Sequence, residues 1–269
     1  MKCETFDIKV SGSEEYAKLN TYIQESHEEV DVHQRPFIIV CPGGAYMFTS
    51  HREAEMIALQ FVANGFNAAV LWYSYKPAVY PTANLELGRS FALIREHAKE
   101  WDTDPNKISV IGFSAGGHMV ASYCCFWNKP FMAEKLGVDS EVLRPNALLL
   151  GYPVITSGEY AHHDSFHNLL ADKYDEMKDE MSLETQVTAA VPRTFIWHTT
   201  TDEAVPVQNS LYFVTALIEK GISVEYHLFE KGGHGLGLAD ERTIGVDRVQ
   251  IEPNCQCWID MAIRWLKNL

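Results

Sequence analysis

The chain has 269 residues, of which 46% are apolar and 22% are charged, and this composition is that of a globular protein with a substantial core. The 36 acidic residues outnumber the 22 basic ones and give a formal net charge of −14, which argues against nucleic acid or an anionic membrane as the main partner. No stretch approaches the roughly 20 apolar residues of a membrane span, and the first residues lack the apolar core of a signal peptide, so we expect a cytoplasmic protein.

The elements predicted along the chain alternate between strands and helices. Residues 6–10 and 19–23 alternate polar and apolar side chains, which is typical of antiparallel strands at a sheet edge. Further strands are predicted at 37–41, 66–73, 108–113, 146–155, 192–198 and 222–229. Helices are predicted at 51–64, 82–101, 118–126, 207–220 and 253–266. This order predicts an α/β fold with a mainly parallel central sheet and helices on both faces.

A long polar interval, residues 156–191, interrupts the alternation. It is too long for a simple connection, and we expect a cap-like insertion that lies over the functional site within a single domain of residues 1–269. His162, His163 and His167 could suggest a metal site, but no second cluster of ligands accompanies them. We therefore favour a substrate-facing loop, with His163 as a substrate contact and no metal or cofactor.

The six cysteines do not follow a metal-binding or disulfide pattern. Cys124 and Cys125 are adjacent, Cys255 and Cys257 form a C-x-C pair, and the other two stand alone. The C-x-x-C spacing of paired metal ligands is absent. We expect reduced thiols, most of them buried.

Residues 112–116 read Gly-x-Ser-x-Gly and stand between a predicted strand and a predicted helix. Strand, sharp turn and helix are the parts of a nucleophile elbow, in which the turn raises a serine oxygen above the sheet. The pentapeptide alone would also fit a glycine-rich turn, since such short patterns recur by chance. Its context makes Ser114 the candidate nucleophile.

A second glycine-rich loop, residues 42–46, follows the strand at 37–41. Adjacent glycines let the backbone turn so that its N–H groups point into a cavity, where they can stabilise a developing oxyanion. Both loops are expected at the carboxyl edge of the sheet, where active residues of parallel sheets lie. The candidate oxyanion donors are the N–H groups of Gly44, Ala45 and Ala115.

A serine hydroxyl needs a base to accept its proton and a carboxylate to orient that base. In the order serine, acid, histidine, the candidates are Ser114, Asp202 and His234, and each follows a predicted strand. Asp202 is preferred to its neighbour Glu203, because adjacent side chains point apart. His118, inside the helix after Ser114, and His198, still within a strand, are poorer bases.

These residues resemble the α/β-hydrolase superfamily, and more closely the small esterases related to hormone-sensitive lipase, which include acetyl esterases and acetyl xylan esterases. The resembling segments are 41–46, 80–81, 104–121, 152–154, 198–206 and 231–237. The lipase-like oxyanion motif begins His-Gly-Gly, whereas Cys41 and Pro42 precede the glycines here. The Pro-Gly-Gly sequence here resembles the corresponding motif of related carbohydrate esterases. The resemblance therefore implies an intact oxyanion hole and favours sugar acetyl esters.

The resemblance implies a serine carboxylesterase that hydrolyses small acyl esters, in particular acetyl esters, of sugars or oligosaccharides through an acyl-enzyme. Among the aromatic residues Tyr46, Trp72, Tyr75 and Tyr80, which could flank a sugar or aryl group or pack in the core, Tyr46 and Tyr80 are the predicted substrate contacts. An arylformamidase or a peptidase-like amidase is the alternative enzyme. A non-catalytic, ligand-binding hydrolase fold is the alternative of another class. That alternative predicts the loss of a triad residue, and all three are present here. The sequence leaves open whether the chain forms a homodimer.

Overall fold

The protein is built around a mixed sheet of eight strands, seen in a computed structural model that describes residues 1–29 and 32–268. The strands are Lys2–Asp7 (β1), Lys18–Ile23 (β2), Arg35–Cys41 (β3), Asn67–Trp72 (β4), Thr103–Phe113 (β5), Ala147–Gly151 (β6), Thr194–Thr199 (β7) and Val224–Phe229 (β8). Their order across the sheet is β1-β2-β4-β3-β5-β6-β7-β8. β2 pairs antiparallel with both β1 and β4, and the other neighbours are parallel.

Helices cover both faces of this sheet. They are Glu55–Ala63 (α1), Thr82–Glu96 (α2), Ser114–Phe126 (α3), Pro130–Leu136 (α4), His163–Leu170 (α5), Tyr174–Met177 (α6), Gln208–Glu219 (α7) and Trp258–Lys267 (α8). Buried side chains of α1 and α8 share one core with one face of the strands, and those of α2, α3 and α7 share a second core with the opposite face. The predicted fold class is confirmed: this is the architecture of an α/β-hydrolase.

The central strands read as continuous apolar runs because both of their faces are covered. All seven residues of β3 except one are buried, and the five residues of β6 are all buried. Edge strand β1 alternates exposed and half-buried residues, as expected for a strand with one solvated face. This arrangement places β5, the strand before Ser114, in the middle of the sheet.

Several element boundaries differ from the sequence prediction. β1 begins at Lys2 and ends at Asp7, before the predicted range of 6–10 is complete, because the Asp7 side chain accepts the N–H of Lys9 and turns the chain. α8 begins at Trp258, later than predicted, because Cys255 and Trp258 donate to the carbonyls of Glu252 and Cys255 in successive turns. The short helix α4 was not predicted.

The interval 156–191 contains α5 and α6 and packs on the same core as α2 and α3. Phe166, Leu169 and Met181 are buried in that core. Asn168 donates from its side chain to the carbonyl of Ala45 at 2.9 Å, which places α5 against the glycine-rich loop. The sequence did not indicate α5, because its apolar residues lie within a predominantly polar stretch.

All six cysteines are unpaired, and four of them are buried: Cys41, Cys124, Cys125 and Cys255. Burial raises the pKa of the Cys125 thiol to about 12 and that of the Cys255 thiol to about 12.

Across residues 1–29 and 32–268, no helix combines the length and the apolar character needed to cross a bilayer.

Candidate active site

Ser114 stands at the sharp turn between β5 and α3, with a positive φ of 51°. A side chain on Gly116 would bring its Cβ to 2.3 Å from the carbonyl oxygen of Pro42, so only glycine lets the helix start this close to the loop after β3. Ser114 remains 8% exposed at the carboxyl end of the sheet. The strand, turn and helix therefore have the geometry that a nucleophile elbow requires.

His234 joins Ser114 to Asp202. Its Nε2 lies 2.8 Å from the Ser114 Oγ, and its Nδ1 lies 2.7 Å from the Asp202 Oδ2. Because a carboxylate can only accept, the Nδ1 carries the proton and the unprotonated Nε2 accepts from the serine hydroxyl. The structure thus brings together the three residues that the sequence predicts as a triad, from loops that follow β5, β7 and β8.

Asp202 is held by donors on both of its oxygens and its side chain is fully buried. Oδ1 accepts the backbone N–H groups of Ala204 at 3.0 Å and Val205 at 2.9 Å. Burial opposes the charge, but hydrogen bonds from His198 and His234, the charge of His234 and the backbone N–H of Val205 outweigh it and hold the pKa of Asp202 well below the usual range. Glu203, the neighbouring carboxylate, is exposed.

His198 and His118 have other partners than Ser114. The Nε2 of His198 lies 3.0 Å from the Val205 carbonyl oxygen and 3.3 Å from Asp202, so this ring supports the carboxylate from behind. The Nε2 of His118 donates to the carbonyl of Met181, and its Nδ1 accepts from the Tyr46 hydroxyl, each at 2.9 Å. Burial lowers the pKa of His118 to about 4, so this ring is neutral at physiological pH.

The glycine-rich loop faces the serine from the end of β3. Gly44 has a φ of 138°, which side-chain-bearing residues rarely adopt, and a Cβ there would also meet the Phe48 carbonyl oxygen at 2.0 Å. Within the described chain, the N–H groups of Gly44 and Ala45 have no hydrogen-bond acceptor. The N–H of Ala115 lies in the first turn of α3, where amide groups have no intrahelical acceptor.

A buried carboxylate ties this loop to the loop that carries the histidine. The Oε2 of Glu53 accepts the N–H of Gly43 at 2.8 Å, and its Oε1 accepts the hydroxyl of Tyr152 at 2.7 Å. The same hydroxyl accepts the N–H of Gly237 at 2.9 Å. The Tyr152 ring also packs edge-on against His234, with ring centroids 5.1 Å apart. Glu53 is only 2% exposed, so this chain of hydrogen bonds is shielded from water.

A cavity of about 160 Å³ opens beside Ser114. Its lining consists of Gly44, Ala45, Phe48, Ser50, Arg52, Glu53, Ser114, His162, His234 and Gly235. Arg52 donates to the Gly235 carbonyl oxygen at 2.6 Å. Burial and the nearby charge of His234 lower the pKa of His162.

The structure places the predicted substrate contacts outside this cavity, because none of Tyr46, Tyr80 and His163 lines it in the described chain. Tyr46 is 2% exposed and turns inward to His118. Tyr80 packs partly buried against the core, and His163 is exposed at the start of α5, 3.5 Å from the Tyr174 hydroxyl. The neighbour of His163, His162, faces the cavity instead.

Sequence reasoning missed Phe48, Arg52 and Glu53. Their one signal is position: Phe48 lies just after the glycine-rich loop, and Arg52 and Glu53 lie at the start of the helix predicted at 51–64. Among residues 1–29 and 32–268, no group of three His, Cys, Asp or Glu side chains is arranged to hold a metal ion.

Comparison with known proteins identifies a family. Residues 22–217 match the model of the BD-FAE family. The chain is 36% identical over 218 residues, 77% of its length, to an endo-1,4-beta-xylanase B from Butyrivibrio fibrisolvens, and covers 33% of that protein. It is 28% identical over 211 residues, 75% of its length, to an acetylxylan esterase from Xylanibacter ruminicola, and covers 41% of that protein. The chain thus spans less than half of the length of these two relatives.

A solved structure gives a similar result. The acetyl ester-xyloside bifunctional hydrolase from Caldicellulosiruptor lactoaceticus superposes with a TM-score of 0.79 and is 34% identical. The alignment covers 94% of this chain and 88% of the other.

Proposed function

Because the chain belongs to the BD-FAE family and has the α/β-hydrolase fold, we propose that it is a serine carboxylesterase that removes small acyl groups from sugars or oligosaccharides. The observation that carries this proposal is the unbroken series of hydrogen bonds from Ser114 through His234 to Asp202. That series begins beside a cavity bordered by the N–H groups of Gly44 and Ala45, which have no acceptor among the residues that the structure describes. The names of an acetylxylan esterase and an acetyl ester hydrolase among its relatives support the substrate class.

In the first half of the proposed reaction, the Ser114 Oγ attacks the acyl carbonyl while its proton passes to the Nε2 of His234. The 2.8 Å contact between these atoms is short enough for direct transfer. The imidazolium that forms is stabilised by Asp202, which stays ionised because its pKa is held low. The N–H groups of Gly44, Ala45 and Ala115 are the proposed donors to the oxyanion.

Collapse of the tetrahedral intermediate breaks the bond to the alcohol, which leaves with the proton from His234. In the second half, His234 takes a proton from water, and the resulting hydroxide attacks the acyl-enzyme. The acid is released and the proton returns to the Ser114 Oγ. Every proton therefore passes through one imidazole nitrogen, and no cofactor is needed.

The size of the cavity supports a small acyl group. Its volume of about 160 Å³ is well below the roughly 300 Å³ at which pockets for drug-sized ligands begin. An acetyl group fits such a space. We also propose that residues 156–191 act as a cap within a single domain, since His162 borders the cavity and Asn168 contacts the glycine-rich loop.

Turnover of p-nitrophenyl acetate by Ser114→Ala tests the serine mechanism, which predicts a loss of nearly all activity while the variant keeps the melting temperature of the parent. Activity near the parental level would end the proposal.

A panel of acetylated xylo-oligosaccharides, feruloyl esters and N-formylkynurenine tests the substrate class. Cleavage of acetylated xylo-oligosaccharides is expected, and cleavage of N-formylkynurenine alone would instead support an arylformamidase.

A further inference from the structure

A second, larger cavity lies beside the one at Ser114. It is a groove of about 550 Å³ on the face of the sheet that α1 covers, at the carboxyl end of β4. Four of its lining rings form two contacting pairs. His51 lies 4.7 Å from Trp72 between ring centroids, and Tyr16 stacks on Tyr75, also at 4.7 Å. These contacts fix the four rings in the wall of the groove before any ligand arrives.

The groove and the catalytic cavity share one short segment of chain. Phe48, Ser50 and Arg52 line the cavity beside Ser114, whereas Thr49 and His51, which alternate with them, line the groove. The two spaces therefore lie on opposite sides of residues 48–52. β4 is separated from β5 by β3 alone, so the lateral offset between their ends is roughly 10 Å, or two strand spacings. This offset is comparable to the length of a disaccharide.

The polar side chains of the groove have hydrogen-bonding capacity to spare. In the described part of the chain, Lys18 has no ion pair, and neither Thr49 nor Lys18 has a side-chain hydrogen bond. Lys18 and Glu55, the lysine and the glutamate of the groove, carry opposite charges. A groove that combines fixed ring faces with free donors and acceptors, and that sets one lysine against one glutamate, suits a neutral polyhydroxylated chain, whose C–H faces stack on rings while its hydroxyls are hydrogen-bonded.

We propose that this groove, walled by Tyr16, His51, Trp72 and Tyr75, binds the sugar units of a neutral oligosaccharide whose acylated unit lies at Ser114. The inference rests on the proposed esterase function and extends it, because it assigns a binding site for the part of the substrate that does not react. Binding energy from remote units then positions the reacting ester. Esters of single sugars are too short to reach the groove.

Binding without turnover tests this site directly. In Ser114→Ala, calorimetric titration with unacetylated linear xylo-oligosaccharides, from xylobiose to xylohexaose, should give affinity that rises with chain length. His51→Ala and Lys18→Ala, added to the same background at exposed positions, should each weaken the longest ligand by about tenfold and xylobiose much less. Affinity that is independent of length, or variants that bind the longest ligand as the parent does, would overturn the proposal.

Turnover provides the second measurement and separates this inference from the proposed function. The ratio of kcat/KM for acetylated xylo-oligosaccharide to that for p-nitrophenyl acetate should fall about tenfold in Trp72→Ala and in His51→Ala. Tyr212→Ala, which removes an exposed ring from α7, far from the groove lining, should keep the parental ratio. A loss of activity in Ser114→Ala together with unchanged ratios would leave the esterase intact and refute the groove.

Discussion

At the scale of single residues, the orientation of His234 depends on a carboxylate that is itself fixed from several sides. Asp202 accepts two backbone N–H groups on one oxygen and two imidazoles, those of His198 and His234, on the other. Such a carboxylate cannot rotate away from the His234 ring without losing several bonds. In the neutral form of the ring, His234 therefore keeps its proton on Nδ1 and its lone pair toward Ser114.

Replacing this carboxylate by an amide should disable the base while the shape of the site is kept. In Asp202→Asn, the side-chain NH₂ can face His234 and favour the wrong tautomer, so kcat for p-nitrophenyl acetate should fall by about 10⁴, as the equivalent change does in serine proteases. Glu203→Gln is the matched control, because it makes the same change at the adjacent exposed position. It should keep parental kcat, and an equal loss in both variants would show that Asp202 has no special role.

At the scale of elements, the catalytic loops are joined by a connection that runs beneath them. Glu53 links the loop after β3 to Tyr152, which follows β6, and Tyr152 links to Gly237 in the loop after β8. A shift of any of these loops would leave a polar group unpaired in a buried place, which is costly. The network therefore fixes the proposed donors for the oxyanion relative to the proposed base, His234.

Glu53→Gln should reduce catalysis through this positioning. An amide cannot accept on both of its terminal atoms, so either Gly43 or Tyr152 loses its acceptor. A hydrogen bond to a charged group contributes about 1.5–3 kcal/mol, and we expect kcat to fall about ten- to hundredfold with a smaller change in KM. Tyr152→Phe, which keeps the ring against His234 but loses the links to both Glu53 and Gly237, should have an effect at least as large. A lower melting temperature with parental kcat would mean that the network only stabilises the fold.

At this scale, the sequence predicts features that depend on neighbouring residues, and it does not predict contacts between residues far apart in the chain. Ser114, Asp202 and His234 were predictable because each lies just after a recognisable strand, and parallel strands bring such loops to one edge. Glu53 was not, because its partner Tyr152 lies 99 positions away and nothing in the pattern indicates their contact. The inward direction of the Tyr46 side chain was also not predictable from the sequence. It depends on successive positive φ angles at Ala45 and Tyr46, which bury that ring and leave Met47 and Phe48 exposed.

At the scale of the whole molecule, His118 connects three parts of the fold. It lies in α3, accepts from Tyr46 in the glycine-rich loop and donates to Met181 in the insertion. Burial lowers its pKa to about 4, from a value of 6.5 in the unfolded chain. Between these two values the unfolded chain binds more protons than the folded protein does, so the free energy of unfolding decreases as the pH falls from about 6.5 to about 4.

This linkage can be measured by urea unfolding across that pH range. His118→Gln keeps a donor and an acceptor but cannot take up a proton, so its free energy of unfolding should decline less steeply than that of the parent, by an amount of the order of 3 kcal/mol over the range. His27→Gln, at an exposed position, should decline as the parent does. A His118→Gln variant with the parental slope would show that this ring carries no such linkage.

The most direct measurement of the central claim is the site of covalent modification by a fluorophosphonate, read by peptide mass spectrometry. Our account predicts stoichiometric labelling of Ser114, at a rate that falls sharply in His234→Ala and with no label in Ser114→Ala. Labelling of a different residue, or a parental rate in His234→Ala, would contradict it.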